Sequence, residues 1–211
     1  MQPNWYDRHI LPTMLDIACG MPMVSRMRHL VVPQAVGRVL EVGIGTGLNM
    51  RHYDKQRVTH ITGLDPALQM HPLALERIAK VGLAVDLIGL SAEKIPLSDA
   101  SFDTVLITYT LCTIPDAHSA LLEMRRVLKP GGKLLFCEHG HAPDASVARW
   151  QARLQPLWNK VAGGCQLGRD IPALLVAAGY QVPGLETGYV AGPRPLTFHY
   201  WGEALPACTG S

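Results

Sequence analysis

The sequence predicts an α/β protein with a doubly wound, mostly parallel sheet and helices on both faces. From Arg38 onward, short apolar runs alternate with longer amphipathic segments. Three glycines at alternate positions follow the first of these runs, and an aspartate ends the second. Parallel strands need long crossover connections, which the amphipathic segments supply as helices.

Five apolar runs are predicted as the parallel strands: Arg38–Gly43, Thr59–Asp65, Leu83–Leu90, Phe102–Thr108 and Lys133–His139. The clearest helix spans 117–128, because Asp116 is a suitable N-cap and Pro130 with two glycines ends the pattern. A long helix is expected after Ala145 and a shorter one over 169–178. Two late β-like runs, 180–187 and 195–201, have no helix between them and are predicted to form an antiparallel hairpin.

Residues 1–33 are predicted as an N-terminal helical lid, before a single domain over 34–204 and a flexible tail over 205–211. One helix face of the lid would carry Ile10, Met14, Ile17, Ala18 and Met21. This face could simply pack on the domain, or it could form a pliable apolar cover over a ligand cleft, because methionine adapts to different shapes.

Composition narrows the function classes. The chain has 211 residues, 19 basic and 17 acidic, with no basic run, so no nucleic-acid partner is expected. Five scattered cysteines without a CxxC pair indicate reduced thiols in a cytoplasmic protein. The apolar stretch 10–24 is interrupted by Pro12 and Asp16, so no stable membrane insertion is expected.

The strongest motif is the run from Glu41 to Gly47, where Gly43, Gly45 and Gly47 follow a strand directly. Glycines there let the backbone turn sharply and approach a ligand closely. A dinucleotide site has the spacing G-x-G-x-x-G, whereas position 48 is leucine. Glu41 on the strand fits poorly beside a pyrophosphate and well near a cationic ligand.

Further polar motifs follow the next strands in order. Asp65 lies 22 residues after Gly43, a spacing suited to binding ribose hydroxyls. Ser91-Ala92-Glu93 follows the third strand, and Thr108-Tyr109 ends the fourth. Each motif alone could be an ordinary turn, but together they mark one sheet edge, where ligands of open α/β sheets bind.

With Arg126-Val127-Leu128-Lys129-Pro130-Gly131-Gly132, these motifs resemble class I S-adenosylmethionine-dependent methyltransferases over about residues 36–140. The resemblance implies a Rossmann-like fold, a seven-stranded sheet with an antiparallel last strand, and S-adenosylmethionine as cofactor, with S-adenosylhomocysteine as product. It implies that Asp65 binds the ribose and that Thr108 and Tyr109 lie beside the sulfonium. The other implied cofactor-binding residues are Glu41, Gly43, Gly45, Gly47 and Asn49 around the methionine part, and Pro66, Met70, Ala92 and Glu93 around the adenine.

A closer resemblance, to small-molecule thiol S-methyltransferases, rests on motifs outside the cofactor loop. They are Tyr6-Asp7, Ile10-Leu11-Pro12, Leu111-Cys112, Glu138-His139-Gly140, Trp158-Asn159 and Gly164-Cys165. It implies a small thiol or sulfide as the acceptor. Amine methylation of a lipid such as phosphatidylethanolamine, and carbon methylation of a quinol, remain alternatives within the fold. The alternative from a different functional class is a protein that binds the cofactor without catalysis. The sequence assigns no oligomeric state.

A thiol acceptor must lose its proton, which makes His139, at the end of the fifth strand, the candidate base. A histidine that only caps the strand end is the equal alternative. Tyr6 is the second candidate catalytic residue, closing with the lid over the methyl donor. Cys112 and Cys165 are expected as small buried side chains, and Trp150 and Trp158 as core residues. No metal site is predicted, because His139 and His141 lack an identifiable third partner.

Overall fold

The computed structural model describes residues 5–207. Three short helices open the chain, α1 (Trp5–His9), α2 (Leu11–Gly20) and α3 (Pro22–Val31). Four strands follow with one helix among them: β1 (Gly37–Val42), β2 (Val58–Leu64), α4 (His71–Val81), β3 (Val85–Ile88) and β4 (Phe102–Thr108). The remaining elements are α5 (Ala117–Val127), β5 (Leu128–His139), α6 (Ala145–Val161), α7 (Ile171–Ala177), β6 (Tyr180–Gln181), β7 (Glu186–Tyr189) and β8 (Phe198–Pro206).

The strands form one sheet in the order β3-β2-β1-β4-β5-β8-β6, with β7 also paired to β8. Strands β1 to β5 are parallel, whereas β8 runs antiparallel to β5, β6 and β7. The strand order reverses between β1 and β4, and the carboxyl ends on either side of that point form the crevice where ligands bind in such sheets. The predicted fold class is confirmed by this arrangement.

Side chains alternate across β5, so the two faces of the sheet have separate cores. Leu134 and Phe136 point into the larger core, beneath α5 and α7. Leu135 and Cys137 point into the other, which α3 covers with Met27 and Val31. Continuous burial of this kind is expected for strands covered on both faces.

Several expectations need correction. The sheet has eight strands rather than seven, because the run 180–187 forms two short strands around a turn. The glycine loop is followed only by a 3₁₀ turn, Met50–His52, and not by a helix. Strand β8 continues to Pro206, into the segment predicted as a tail, while residues 208–211 lie outside the described residues. Trp150, expected in the core, is 54% exposed.

The N-terminal helices contact the domain by a different face from the one that the apolar pattern suggested. Ile10, Met14, Ile17 and Met21 are exposed, with Ile17 at 68%. Buried contacts come instead from Leu11 and from Val24, Met27, Arg28 and Val31. None of the helices formed by residues 5–207 has both the length and the apolar character that crossing a membrane requires.

An ion pair between Asp16 on α2 and Arg77 on α4 holds α2 next to the glycine loop. Arg77 on α4 bonds both carboxylate oxygens of Asp16, at 2.7 and 3.0 Å, and donates to the carbonyl of Thr46. The Thr46 hydroxyl donates to the same carboxylate. These hydrogen bonds, with that from Arg77 the largest effect, lower the pKa of Asp16 against the opposing effect of burial.

We expect Asp16→Ala to loosen α2 without unfolding the domain, by about 1 kcal/mol or less for a partly exposed pair. Because the pKa of Asp16 is lower in the folded state, this stabilisation is present above the unfolded pKa of about 4 and is lost as the pH falls through the folded value. Hydrogen exchange of α2 between pH 3 and 7 tests this. Asp86→Ala, at an exposed ion pair on β3, is the control. Equal exchange of α2 in both variants would contradict the assignment.

Candidate active site

The glycine loop connects β1 to the rest of the site through contacts that exclude larger side chains. Gly43 has a φ of +75°, and a Cβ there would lie 2.1 Å from the Thr110 hydroxyl oxygen. Gly45 has a φ of +53°, and its N–H donates to Asp65 at 2.8 Å. The predicted turn is therefore present, with β1, β2 and the end of β4 in direct contact.

Asp65 lies at the end of β2 with 8% exposure. Its two carboxylate oxygens accept separate backbone hydrogen bonds, from Gly45 and from Ala67, each at 2.8 Å. Burial raises the pKa of this carboxyl despite those two bonds. Met70 lies over the same turn, with its sulfur 3.7 Å from where a Gly45 Cβ would be, while Pro66 is exposed.

Glu41 is buried on β1 and bonded on both oxygens. Asn49 donates to one oxygen at 2.9 Å, and the Tyr53 hydroxyl donates to the other at 2.7 Å. Burial raises the pKa of Glu41 to about 7, against these hydrogen bonds. Asn49 also donates to the Thr108 hydroxyl at 2.9 Å, so one polar network joins β1 to β4.

Arg28, on α3, enters this network and was not identified from the sequence. Only 5% of it is exposed, yet its guanidinium donates to Asn49 at 2.8 Å and to the Thr108 hydroxyl. It also lies over the Tyr109 ring, 5.0 Å from the centroid. A buried arginine in an otherwise amphipathic helix looks like an ordinary surface residue in the sequence, so only the packing of α3 reveals it.

Ala92 and Glu93, two of the residues predicted to contact the adenine, lie in the loop after β3. Ala92 is buried, and the Glu93 carboxylate accepts from the Ser91 hydroxyl at 3.1 Å and from the Asp116 N–H at 2.8 Å. The helix N-cap at Asp116 is present as predicted, with its side chain accepting from the Ser119 N–H. Tyr109 has a φ of +54°, an uncommon conformation for a residue with a side chain.

Glu138, next to His139, was named in the sequence only as part of the Glu138-His139-Gly140 motif, with no role predicted for it. One oxygen accepts from the backbone N–H groups of Thr110 and Leu111, at 2.8 and 3.0 Å. The other is buried without a hydrogen-bond partner among the described residues. Burial raises the pKa of Glu138 to about 7, against its two backbone bonds.

His139 is the last residue of β5 and lies against two cysteines. Its Nε2 is 3.0 Å from the Cys165 sulfur, which also accepts from the Trp158 indole at 3.2 Å. The hydrogen bond from Cys112 is the largest cause that lowers the pKa of Cys165, with support from His139 and Trp158 and opposition from burial. Burial opposes charge on His139, yet the Cys165 contact raises its pKa. Cys112 and Cys165 are buried as expected.

Tyr6, the other candidate catalytic residue, contacts the end of α6. Its hydroxyl donates to the Val161 carbonyl at 3.0 Å and lies 3.5 Å from the Met14 sulfur. His139 therefore lies at the sheet edge, whereas Tyr6, on α1, connects the N-terminal helices to the end of α6.

A family model described as a methyltransferase domain matches residues 40–136. Over 136 residues the chain is 33% identical to the thiol S-methyltransferase TMT1B of Rattus norvegicus, covering 63% of this chain and 55% of that protein. Over 124 residues it is 34% identical to a phosphatidylethanolamine N-methyltransferase of Cereibacter sphaeroides, covering 56% and 60%. The chain thus spans somewhat more than half the length of these relatives.

Solved structures agree on the fold. A Leishmania major S-adenosylmethionine-dependent methyltransferase superposes with a TM-score of 0.70 over 95% of this chain and 80% of that one, at 18% identity. The sheet order, the glycine loop and the matched domain point to one family and to one cofactor, S-adenosylmethionine. Residues 40–136 thus form a methyltransferase domain, and the fold of the chain is that of the class I S-adenosylmethionine-dependent methyltransferases.

Proposed function

We propose that the chain transfers a methyl group from S-adenosylmethionine to a small thiol or sulfide, giving a thioether and S-adenosylhomocysteine. The observation that carries this proposal is the surface that the half-buried His139 imidazole and the buried sulfurs of Cys112 and Cys165 form at the ends of β4 and β5. The Thr110 hydroxyl donates to the Gly43 carbonyl at 3.4 Å, and the Thr110 N–H donates to the Glu138 carboxylate at 2.8 Å. The glycine loop and the end of β5 are therefore neighbours. The relative named a thiol S-methyltransferase supports the same acceptor class.

The cofactor is proposed to lie along the edge formed by β1, β2 and β4. Asp65 would bind the ribose, and Thr108 and Tyr109 would lie beside the sulfonium. Arg28 adds a buried cation to the methionine side, where it would complement the carboxylate of the cofactor. The remaining contacts are proposed for Glu41, Gly43, Gly45, Gly47 and Asn49 at the methionine part, and for Pro66, Met70, Ala92 and Glu93 at the adenine.

Methyl transfer from a sulfonium is an in-line displacement: the acceptor sulfur bonds the methyl carbon while the carbon–sulfonium bond breaks. Positioning of the two reactants can contribute about 7–11 kcal/mol. A cysteine-like thiol, with a pKa of about 8.5, is only a few per cent ionised at neutral pH. We propose that His139 promotes loss of the acceptor's proton, since it is the last residue of β5, the strand that pairs with β4.

Tyr6 is proposed to hold the N-terminal helices over the site. Tyr6→Phe removes its hydrogen bond to the Val161 carbonyl. We expect about a 2- to 12-fold rise in the KM of the acceptor, since a neutral hydrogen bond contributes about 0.5–1.5 kcal/mol. Steady-state kinetics with a saturating cofactor tests this. Tyr189→Phe, at a hydroxyl bonded to Asp144, is the matched control. An unchanged KM in Tyr6→Phe would contradict the role.

A methylation screen tests the acceptor class. Purified protein with radiolabelled cofactor is offered sulfide, methanethiol, larger thiols, phosphatidylethanolamine vesicles and a quinol. Turnover with thiols supports the proposal, whereas turnover confined to the lipid or the quinol would overturn it. The lipid amine is the second candidate, because a relative carries that name and Trp5 and Ile17 are each 68% exposed. Cofactor binding without turnover on any acceptor would indicate the non-catalytic alternative.

A further inference from the structure

Three side chains of types that can ligate a metal ion meet at the carboxyl ends of β4 and β5. The sulfur atoms of Cys112 and Cys165 and a ring nitrogen of His139 all lie within 4.8 Å of one another. Cys112 is 2% exposed and Cys165 is 7% exposed. The three residues come from separate parts of the chain, the loop after β4, the end of β5 and the loop after α6.

The backbone around these residues is held in place by its own contacts. The Gln166 N–H donates to the Cys112 carbonyl at 3.0 Å, which ties the two cysteine loops together. Gln155 on α6 donates to the Cys165 carbonyl at 3.0 Å and accepts from the Leu167 N–H at 2.7 Å. The cluster is thus preorganised rather than formed by mobile side chains.

We infer that Cys112, His139 and Cys165 form a binding site for a thiophilic divalent cation of the Zn²⁺ class. Thiolate sulfur and imidazole nitrogen are the donors that Zn²⁺ takes in proteins, and two cysteines with one histidine form a known three-ligand set. Mg²⁺ and Ca²⁺ prefer oxygen donors, which this cluster lacks. Binding requires the ligand atoms to stand about 2.0–2.3 Å from the ion, so the His139–Cys165 contact would open slightly.

Two neighbouring side chains support this assignment. The Trp158 indole N–H lies 3.2 Å from the Cys165 sulfur, in the position of an outer donor to a metal-bound thiolate. Glu138, next to His139, keeps one buried carboxylate oxygen without a partner in the described part of the chain. An orphaned buried oxygen is costly unless another group binds there.

The cation would have one open position, since no fourth histidine, cysteine or acidic side chain joins the group among the side chains that the structure describes. Three protein ligands with an open position are typical of catalytic zinc sites. Resting on the proposed function, we infer that the acceptor thiol takes this position. The thiol would displace water and release its proton on coordination, and its sulfur would then attack the methyl carbon. His139 would promote ionisation as a metal ligand.

Cobalt substitution tests the site without any activity measurement. Protein kept reduced with a phosphine is stripped with a chelator and titrated with Co²⁺. We expect stoichiometric binding with a thiolate-to-cobalt absorption band in the near ultraviolet. Cys112→Ala and Cys165→Ala should lose or weaken the band, whereas Cys137→Ala, which removes a buried thiol outside the cluster, should keep it. The absence of a thiolate-to-cobalt band in the wild type would overturn the inference. This outcome does not depend on whether a variant folds.

A second measurement separates this inference from the proposed function. Methanethiol added to the cobalt-loaded protein should shift the band, because a new sulfur ligand enters. If the cobalt spectrum does not change when methanethiol is added, the acceptor part of the inference is overturned. A cobalt site in a protein that methylates only the lipid amine would leave the metal site standing and overturn the thiol function.

Discussion

Replacing His139 with alanine should lower kcat by about 10²–10⁴-fold, equivalent to about 3–5 kcal/mol, with little change in cofactor affinity. The variant loses the group proposed to promote ionisation of the acceptor, directly or as a metal ligand. The defect should shrink as the pH rises above the pKa of the acceptor, because the thiol then ionises unaided. Steady-state kinetics from pH 6 to 10, with calorimetry of the cofactor, measures both effects.

The chain supplies a matched control two residues away. His141 is exposed, and no contact of its ring to the cluster is present in the described structure. His141→Ala should therefore keep wild-type kcat and the wild-type pH profile. A loss in His139→Ala that does not depend on pH would indicate a structural role, and an unchanged kcat would remove His139 from the mechanism.

The Asp65→Ala variant should bind S-adenosylmethionine about 10- to 150-fold more weakly. Charge-assisted hydrogen bonds to a ribose contribute about 1.5–3 kcal/mol, and each 1.4 kcal/mol is tenfold in Kd. The same carboxylate also accepts from Gly45 and Ala67, so its loss would loosen the glycine loop as well. Isothermal titration calorimetry tests the prediction.

Two further variants separate ribose binding from loop support. Asp65→Asn keeps one acceptor oxygen for the loop but removes the charge, so we expect an intermediate Kd. Asp86→Ala, at an exposed carboxylate on β3, should bind the cofactor as the wild type does. Wild-type affinity in Asp65→Ala would overturn the ribose assignment.

Local patterns predicted the elements that depend on neighbours in the chain. Phe102–Thr108 has the predicted bounds, and the Asp116 cap starts α5 where the pattern placed it. The glycine loop was predictable because a positive φ and close backbone approach demand glycine at specific positions. Where the pattern was weaker, as over 180–187, competing turn residues divided one predicted strand into two.

The N-terminal helices show why an apolar stripe can mislead about which face is buried. Ile10, Met14, Ile17 and Met21 recur at helical spacing, yet they are exposed in the structure. The helices are short and break at Pro22, so α3 turns a different face, with Met27 and Arg28, towards the sheet. Periodicity identifies a face of a helix, but the packing of neighbouring helices decides which face is buried.

The sequence by itself predicted the parallel sheet, the glycine loop, the position of Asp65 at the end of a strand and the edge on which a cofactor would bind. These follow from the alternation of strands and helices and from the residue types at the strand ends. Only the tertiary structure decided that Arg28 enters the polar network and that Cys112, His139 and Cys165 meet. Their separation along the chain carries no periodic signal, and each residue alone resembles an ordinary helix or core position. Their proximity depends on how α3, β5 and the loop after α6 pack around one end of the sheet.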